Sequence, residues 1–280
     1  MSERVALIGK PLRRRHSQVM HDAAFAASGI DARYELRELE PGEVASFVAE
    51  ARGPGWLGFQ VTAPYKRDVF GLLDEVEPDA RAIGAVNSVA RGGGGSLVGF
   101  NTDAPGFAAA VERELGLTFA GASVVVAGAG GAARAVVYAA VTGGAADVLV
   151  AARRRERAAE LTGSLSGPVR AAGLEERALA DALAQADLVV NATTVGMLSP
   201  GASVDPDALG GRTAVFDLVY VPPETELVRR ARERGLRAAN GAEMLVAQAA
   251  IAFRRWTGVE DASGVMRAAL EPLLTAEAVP

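Results

Sequence analysis

The 280-residue sequence contains no cysteine and only two histidines, His16 and His21. The lack of cysteine excludes a disulfide framework and a thiolate metal site, and two histidines are too few for a histidine-based metal cluster. No apolar run approaches the roughly 18 residues that span a membrane. The first residues lead directly into a strand pattern rather than a signal peptide, so we expect a cytoplasmic protein without a metal.

Charge is moderate, since the net charge is −5 and charged residues make up 22% of the sequence. A negative balance argues against non-specific binding to nucleic acid or to an anionic membrane, so the expected partner is a small molecule. Hydrophobic residues make up 50% of the chain, and 280 residues are enough for two domains with separate cores. Both a monomer and a homodimer are compatible with these totals.

Strand patterns alternate with helical patterns along the chain. The predicted strands lie at residues 4–9, 32–39, 58–66, 147–152, 187–193 and 214–220. Residues 85–103 predict a hairpin around Gly92 to Gly95, and residues 66–76 predict a helix. This order indicates an α/β fold with mainly parallel sheets and one local hairpin.

A glycine-rich turn between a strand and a helix organises the second half of the sequence. Residues 123–127 are a buried strand pattern, Gly128, Gly130 and Ala133 match the G-x-G-x-x-G/A fingerprint, and an alanine-rich helical pattern follows. The strand before the motif and the helix after it are the context that favours a dinucleotide site, with the pyrophosphate at the helix N-terminus. The alternative is a tight turn that binds no ligand.

The end of the next strand indicates which dinucleotide is bound. An NAD site typically has Asp or Glu there, whereas this chain has Arg153, Arg154 and Arg155. A guanidinium binds a 2′-phosphate through two parallel hydrogen bonds, so the sequence favours NADP. The alternative is that these arginines open a solvated helix, although cations are unfavourable at a helix N-terminus without an anion nearby.

Proton transfer needs an acid or base, and the first half of the chain offers Lys66 after one predicted strand and Asp103 after another. Asn87 and Thr102 end the hairpin strands, and the carboxyl ends of strands are where ligands of α/β proteins bind. A Lys beside an Asp can pass a proton. Considered singly, Lys66 is typical of a surface lysine and Asp103 of a helix N-cap.

Several motifs share the order and spacing of one family. They are GFQVTAPYK at residues 58–66, IGAVNSV at 83–89, GFNTDAPG at 99–106, GAGGAARA at 128–135, NATTVGM at 191–197, FDLVY at 216–220 and MLVAQAAIAFRRWTG at 244–258. Over nearly its whole length the sequence resembles the shikimate dehydrogenase family, within the shikimate/quinate dehydrogenase superfamily.

The resemblance implies roles for individual residues. Lys66 would be the acid/base on the reacting hydroxyl, and Asp103 would hydrogen-bond the substrate and hold Lys66. The implied substrate residues are Ser17, Thr62, Asn87, Tyr220 and Gln248, with Arg15 at the position of a family serine. The implied NADP residues are Gly128, Ala129, Gly130, Gly131, Ala132, Ala152, Arg153, Arg154, Arg157, Leu218 and Gly241.

The resemblance also implies the architecture and the reaction. A substrate domain would comprise residues 1–103, joined by residues 241–280, and a Rossmann-like NADP domain would comprise residues 104–240, with the catalytic cleft between them. The expected reaction is the reversible reduction of 3-dehydroshikimate to shikimate in aromatic amino-acid biosynthesis. The alternatives are a paralogue that acts on quinate or an amino analogue, and a non-catalytic NADP-binding regulatory protein.

The first family block departs from its pattern here. In the ungapped alignment Arg15 replaces the first carboxylate-binding serine, Ser17 is the second, and Gln18 replaces a proline. An Arg can bind a carboxylate more strongly than a serine but is bulkier, so the departure bears on the substrate more than on the chemistry. Arg13, Arg14 and Arg15 can equally form a solvated loop. Further departures are Gln60 for Asn, Ala152 for Asn and Glu243 for Gly.

Overall fold

The computed structural model describes residues 2–277, which fall into two compact units. The first unit contains residues 2–103 and 245–273, and the second contains residues 104–244 and 274–277. The strands, in chain order, are β1 (Glu3–Gly9), β2 (Ala32–Glu38), β3 (Trp56–Val61), β4 (Glu75–Val76), β5 (Ser88–Arg91), β6 (Leu97–Phe100), β7 (Ser123–Ala127), β8 (Asp147–Ala152), β9 (Val169–Gly173), β10 (Leu188–Asn191), β11 (Ala214–Asp217) and β12 (Ala238–Ala239). The helices are α1 (His16–Ala27), α2 (Val44–Glu50), α3 (Pro78–Ile83), α4 (Asp103–Leu115), α5 (Gly131–Thr142), α6 (Arg155–Gly163), α7 (Arg177–Gln185), α8 (Glu226–Glu233), α9 (Ala242–Thr257) and α10 (Ser263–Glu277).

The first unit contains a mixed six-stranded sheet in the order β2-β1-β3-β5-β6-β4. Strand β1 pairs in parallel with β2 and β3, whereas β5 pairs antiparallel with β3 and β6. The β5–β6 pair is the hairpin predicted for residues 85–103, so that prediction is confirmed. Because β3 lies beside both β1 and β5, the carboxyl end of β3 adjoins the start of the hairpin.

Aromatic packing fixes the helices against this sheet. Phe47 of α2 packs edge-on against Trp56 and Phe59 of β3, with ring centroids 5.5 and 5.2 Å apart. On α9, the Trp256 indole nitrogen donates a 3.0 Å hydrogen bond to the Val89 carbonyl oxygen. A Cβ at Gly58 would lie 2.5 Å from that nitrogen, so only glycine allows the indole to reach the sheet.

The helix predicted for residues 66–76 is wrong. The segment instead forms turns, a short 3₁₀ helix at Phe70–Leu72 and the strand β4. Part of its backbone bonds within these turns, as where Phe70 N donates to Arg67 O at 3.3 Å. The rest bonds to other segments, since the Lys66 carbonyl accepts from Val86 N at 2.9 Å and Asp74 N donates to Leu97 O at 3.1 Å. Tertiary pairing therefore overrides the local helical pattern.

The second unit contains a six-stranded sheet in the order β12-β11-β10-β7-β8-β9, and all its strand pairs are parallel. From β7, the strands run outward as β8 and β9 on one side and as β10, β11 and β12 on the other. This is the doubly wound arrangement, and the order reverses between β7 and β10. Ligands of such sheets bind outside the carboxyl ends of the strands at that point, which is where the glycine turn after β7 lies.

The predicted α/β fold class is confirmed by the two sheets and the helices that connect their strands. Within residues 2–277, no helix combines the length and the apolar character needed to cross a membrane. The same residues contain no group of three or more His, Asp or Glu side chains placed to hold a metal ion.

Candidate active site and dinucleotide site

Lys66 and Asp103 form a close pair in the first unit. Lys66 follows β3, Asp103 is the first residue of α4, and Lys66 Nζ lies 2.5 Å from Asp103 Oδ2. Their side chains are 20% and 11% exposed, so water screens this ion pair only partly. The other oxygen, Asp103 Oδ1, accepts a 2.8 Å hydrogen bond from Asn87 Nδ2. Both carboxylate oxygens are therefore engaged by side chains, which fixes the position of the lysine amine.

The amide of Asn87 has a determined orientation. Its nitrogen donates to Asp103 and also to Thr102 Oγ1 at 2.9 Å, while its oxygen accepts from the Thr102 backbone N–H at 2.8 Å. A flipped amide would place a donor against a donor and an oxygen against a carboxylate. The ends of β5 and β6 thus hold Asn87 and Thr102 so that they orient Asp103.

The polar network continues from the hairpin to β3 and α9. Gln248 Oε1 accepts from Thr102 Oγ1 at 3.3 Å and from Gln60 Nε2 at 3.0 Å. Gln60, Thr102 and Gln248 are all buried. Predicted substrate residues that are far apart in the sequence, Asn87 and Gln248, are therefore joined through one threonine.

The other predicted substrate residues of the first unit lie at the ends of β1 and β3. Thr62 follows β3 and packs so closely on Gly9 that a Cβ at Gly9 would lie 2.3 Å from Thr62 Cγ2. Ser17 lies half-buried in the first turn of α1. Arg15 precedes α1, is exposed, and donates from Nε to Gln18 Oε1 at 2.9 Å. Among residues 2–277, no contact joins Arg15 to the Lys66–Asp103 pair.

The glycine turn of the second unit leaves its backbone accessible. Gly128 has φ +119°, and a Cβ there would lie 2.6 Å from the Ala192 carbonyl oxygen, so the turn requires glycine. Gly130 precedes α5, and no side chain caps that helix end. A Cβ at Gly130 would meet no described atom within 4 Å. Ala133 is fully buried against the sheet. No capping side chain therefore accepts a hydrogen bond from the first N–H groups of α5.

Four arginines near the end of β8 differ in their partners. Arg155 pairs with Glu176 at 3.0 Å, and Arg157 pairs with Glu160 at 3.2 Å. Arg153 and Arg154, which directly follow Ala152 at the end of β8, are exposed and have no side-chain hydrogen bond or ion pair within residues 2–277. They are the two cations at this strand end that are open to an anionic ligand.

Leu218 and Gly241 come together beyond the end of β11. The Leu218 N–H donates to Asn191 O at 2.9 Å, and the Gly241 N–H donates to Val219 O at 3.2 Å. A Cβ at Gly241 would lie 2.2 Å from the Leu218 carbonyl oxygen, so glycine permits this backbone contact. Tyr220 lies two residues after Leu218 in the sequence and is half-buried.

Comparison with known proteins identifies the family. Residues 7–89 match the shikimate dehydrogenase substrate binding domain, residues 109–198 match the shikimate / quinate 5-dehydrogenase family, and residues 241–271 match the shikimate 5′-dehydrogenase C-terminal domain. Shikimate dehydrogenase (NADP⁺) of Geobacillus kaustophilus is 40% identical over 262 residues, which cover 92% of this chain and 94% of that protein. The chain belongs to the shikimate dehydrogenase family. The resemblance predicted from the sequence motifs is thereby confirmed.

Two solved structures are similar to this chain over nearly its whole length. Shikimate 5-dehydrogenase from Thermus thermophilus, in complex with NADP(H) and shikimate, is 34% identical with a TM-score of 0.87, and the match covers 96% of this chain and 99% of that one. Quinate dehydrogenase from Corynebacterium glutamicum, in complex with NAD, is 35% identical with a TM-score of 0.90, and the match covers 97% and 99%. Members that differ in substrate and cofactor are thus equally similar in fold, and the fold alone does not select between them.

Two buried titratable residues were not among the candidates from the sequence. Asp217 ends β11 and accepts from Asn191 Nδ2 at 2.8 Å, from Val219 N at 2.9 Å and from Thr225 Oγ1 at 2.7 Å. Burial nevertheless raises the pKa of Asp217 to about 6, because those hydrogen bonds only partly offset the lost hydration. A signal was present in the sequence, since Asp217 and Asn191 each end an apolar strand.

His21 is the second such residue. Its ring stacks on Tyr34 with centroids 4.4 Å apart, and Nδ1 lies 2.8 Å from the Ser17 carbonyl oxygen. Burial lowers the pKa of His21 to about 4, so the ring is neutral at physiological pH. The sequence did contain a signal for this position, because His21 lies four residues after Ser17 and residues four apart on a helix are neighbours.

Proposed function

We propose that this chain catalyses the NADP-dependent, reversible reduction of 3-dehydroshikimate to shikimate, a step of aromatic amino-acid biosynthesis. The observation that carries the proposal is the partly buried Lys66–Asp103 pair, held by Asn87, in a member of the shikimate dehydrogenase family. Support for NADP comes from the relative in Geobacillus kaustophilus, whose name specifies NADP⁺. In this proposal the first unit binds the substrate and the second binds the dinucleotide.

The residues of the second unit fit NADP. The uncapped start of α5 and the open position at Gly130 suit a pyrophosphate that approaches the backbone closely. Arg153 and Arg154 suit a 2′-phosphate, because both are exposed, pair with no carboxylate among residues 2–277 and follow β8 directly. When bound, NADPH supplies the hydride that reduces the substrate carbonyl.

Lys66 carries the proton in the proposed reaction. In the direction of reduction, Lys66 Nζ donates a proton to the oxygen of the reacting carbonyl, and in the reverse direction it accepts the proton of the hydroxyl. Asp103 Oδ2 keeps the amine in place at 2.5 Å, and Asn87 prevents the carboxylate from turning away. This preorganisation lowers the cost of reaching the reactive geometry.

The remaining polar residues would bind the substrate. We assign its hydroxyls and carboxylate to Arg15, Ser17, Thr62, Asn87, Tyr220 and Gln248, as the family resemblance implies. A monomer or homodimer in the cytoplasm is the state that we expect for the enzyme. Light scattering of the purified protein would give its mass, and a larger assembly would contradict the expected state.

The deciding experiment measures NADPH consumption with 3-dehydroshikimate, for the wild type and for Arg15→Ser. Fast turnover by the wild type supports a biosynthetic shikimate dehydrogenase with an altered carboxylate site. Little turnover by the wild type together with recovery in Arg15→Ser would mean that Arg15 redirects the enzyme to another substrate. Absence of turnover in both proteins would overturn the proposed reaction and favour an NADP-binding regulatory protein, which needs neither Lys66 nor Asp103.

Arg15 supports a second candidate, a dehydrogenase of quinate or of an amino analogue. Its guanidinium replaces a small serine in the carboxylate-binding block and is exposed at the start of α1, where a bound anion is favourable. Measuring kcat/KM for shikimate, quinate and aminoshikimate separates the candidates. A lowest value for shikimate would exclude the first choice.

A further inference from the structure

A tyrosine without an assigned role lies behind the polar network of the first unit. Tyr34 is on β2, is 1% exposed, and its hydroxyl lies 2.5 Å from Gln60 Oε1 on β3. Strand β1 lies between β2 and β3, so the phenol reaches across a whole strand to make this contact. The same hydroxyl also has a side-chain hydrogen bond with Ser17 of α1. A buried hydroxyl held between two side chains is a specific arrangement, since most side-chain hydrogen bonds go to backbone or water.

In this contact the Tyr34 hydroxyl donates its proton to Gln60 Oε1. Burial raises the pKa of Tyr34 well above its usual value, so the hydroxyl keeps its proton. Since Gln60 Oε1 accepts that proton's hydrogen bond, Gln60 Nε2 faces the other way and donates to Gln248 Oε1 at 3.0 Å. The hydroxyl proton of Tyr34 thus favours this direction of the Gln60 amide, with its oxygen toward Tyr34 and its nitrogen toward Gln248.

The direction of Gln248 follows from that of Gln60. Gln248 Oε1 accepts from Gln60 and from Thr102, and Gln248 Nε2 donates one hydrogen bond to the Leu245 carbonyl oxygen at 2.8 Å. An amide nitrogen has two N–H groups. The second N–H of Gln248 has no partner within residues 2–277, so the side chain offers a donor, and not an acceptor, to a substrate oxygen.

The tyrosine ring is itself held firmly, which lets it orient others. The ring stacks on neutral His21 at 4.4 Å with an interplanar angle of 16°. The Tyr34 backbone is also fixed, because its N–H donates to Asp22 Oδ1 at 2.9 Å and its carbonyl accepts from Gln18 Nε2 at 2.9 Å. Both partners lie on α1, the helix that carries Ser17.

We propose that Tyr34 is a positioning residue for substrate binding, which sets the direction of the Gln60 amide and thereby makes Gln248 a hydrogen-bond donor to the substrate. The inference rests on the proposed function, because it takes Gln248 as a substrate residue. Gln60 takes part because it is one methylene longer than the Asn of the family block that it resembles, and in this chain it spans from Tyr34 to Gln248.

The test is Tyr34→Phe, which removes only the hydroxyl. The Gln60 amide then loses the donor that selects its direction, and a flipped Gln60 would turn Gln248 as well. We expect KM for shikimate to rise roughly 5- to 10-fold, the loss of about one hydrogen bond, while kcat changes less than about threefold and KM for NADP does not change. We expect Lys66 and Asp103 to stay in place, because no direct hydrogen bond joins either residue to Tyr34 within residues 2–277.

The matched control is Tyr65→Phe. Tyr65 is equally buried in the first unit, but its hydroxyl donates to the backbone carbonyl of Leu39 instead of a side chain. Both variants should lower the free energy of unfolding, and only Tyr34→Phe should raise KM for shikimate. Equal KM values for the two variants would reduce Tyr34 to a stabilising residue and overturn the proposal.

A double-mutant cycle shows whether Tyr34 acts through Gln60. In a Gln60→Met background, Tyr34→Phe should leave KM for shikimate unchanged, because the amide that it orients is gone. An undiminished effect in that background would overturn the proposed route. An active wild type whose KM is insensitive to Tyr34→Phe would overturn this inference alone, whereas a wild type that turns over neither shikimate nor quinate would overturn the proposed function as well.

Discussion

The two candidate sites are built in opposite ways. In the first unit, side chains satisfy one another in a continuous network from Tyr34 through Gln60, Gln248, Thr102, Asn87 and Asp103 to Lys66. In the second unit, no side chain caps the start of α5, and two exposed arginines after β8 have no side-chain hydrogen bond or ion pair within residues 2–277.

The difference teaches where each site is sensitive to change. A connected network fixes the direction of each amide in it, so removing one polar atom should alter the function of its neighbours. A site of backbone groups and open cations depends instead on free space and on charge. Changes in the first unit should therefore act on catalysis and on substrate binding, and changes in the second on affinity for the dinucleotide.

The largest expected effect is that of Lys66→Ala. Loss of the proton donor should lower kcat by roughly 10²- to 10⁴-fold, while NADP binding in the other unit stays intact. The sequence contains one other lysine, Lys10, which pairs with exposed Glu40, so Lys10→Ala is the control and should keep its kcat. Steady-state kinetics and NADPH fluorescence titration measure both quantities, and unchanged turnover in Lys66→Ala would contradict the role of Lys66.

The next prediction concerns how the free energy of unfolding depends on pH. His21 in the first unit and Asp217 in the second should change it in opposite directions. His21 has a lowered pKa of about 4, so its contribution is present above pH 6.5 and is lost, by about 3 kcal/mol, as the pH falls to 4. Asp217 has a raised pKa of about 6, so its contribution is present below pH 3.8 and is lost, by about 3 kcal/mol, as the pH rises through 6.

The two contributions should nearly cancel in the wild type between pH 4 and 6.5. Relative to the wild type, His21→Phe should gain stability on acidification and Asp217→Asn should lose it. Urea denaturation at several pH values measures the free energy of unfolding for the three proteins. Parallel pH profiles for all three would contradict the assigned burial effects.

A smaller effect is expected when Arg153 and Arg154 are both changed to Gln. The loss of charge-assisted hydrogen bonds to the 2′-phosphate should weaken NADP binding by roughly 10- to 100-fold and leave NAD binding unchanged. Arg157→Gln is the control, because that side chain already pairs with Glu160. Calorimetric titration with both dinucleotides gives the ratio of the dissociation constants, and equal losses for NAD and NADP would refute the assignment.

The smallest effect is that of Gly130→Ala. A Cβ there meets no described protein atom within 4 Å, so folding should tolerate it, but it occupies space beside the pyrophosphate. We expect roughly tenfold weaker NADP binding, about 1.4 kcal/mol, with little change in the free energy of unfolding. Gly211→Ala, at a similarly open position, should change neither quantity. An unaltered dissociation constant for NADP in Gly130→Ala would place the pyrophosphate elsewhere.

Much of the second unit is predictable from the sequence because its signals are local. The apolar run of β7, the glycines after it and the arginines after β8 are each short patterns that carry their own physical meaning. The structure added that Arg155 and Arg157 have carboxylate partners whereas Arg153 and Arg154 have none in residues 2–277. Glu176, the partner of Arg155, comes from beyond β9 and is not signalled near the motif.

The first unit is less predictable because its strand ends gather residues from distant parts of the chain. The helix expected at residues 66–76 was wrong, since that backbone forms short turns and bonds to Val86 and Leu97 instead of building an α-helix. In the sequence Tyr34 is an ordinary strand residue. Its contact with Gln60 depends on the strand order, which places β2 one strand away from β3 with β1 between them.

The sequence by itself determined the family, the α/β class, the glycine turn and the preference for NADP, because each of these depends on residue type and short-range spacing. Only the tertiary structure decided the directions of the Asn87, Gln60 and Gln248 amides and the pKa values of His21 and Asp217. An amide direction depends on which donors and acceptors surround it, and a pKa depends on burial. Both are set by residues far along the chain that the sheets and α9 bring together.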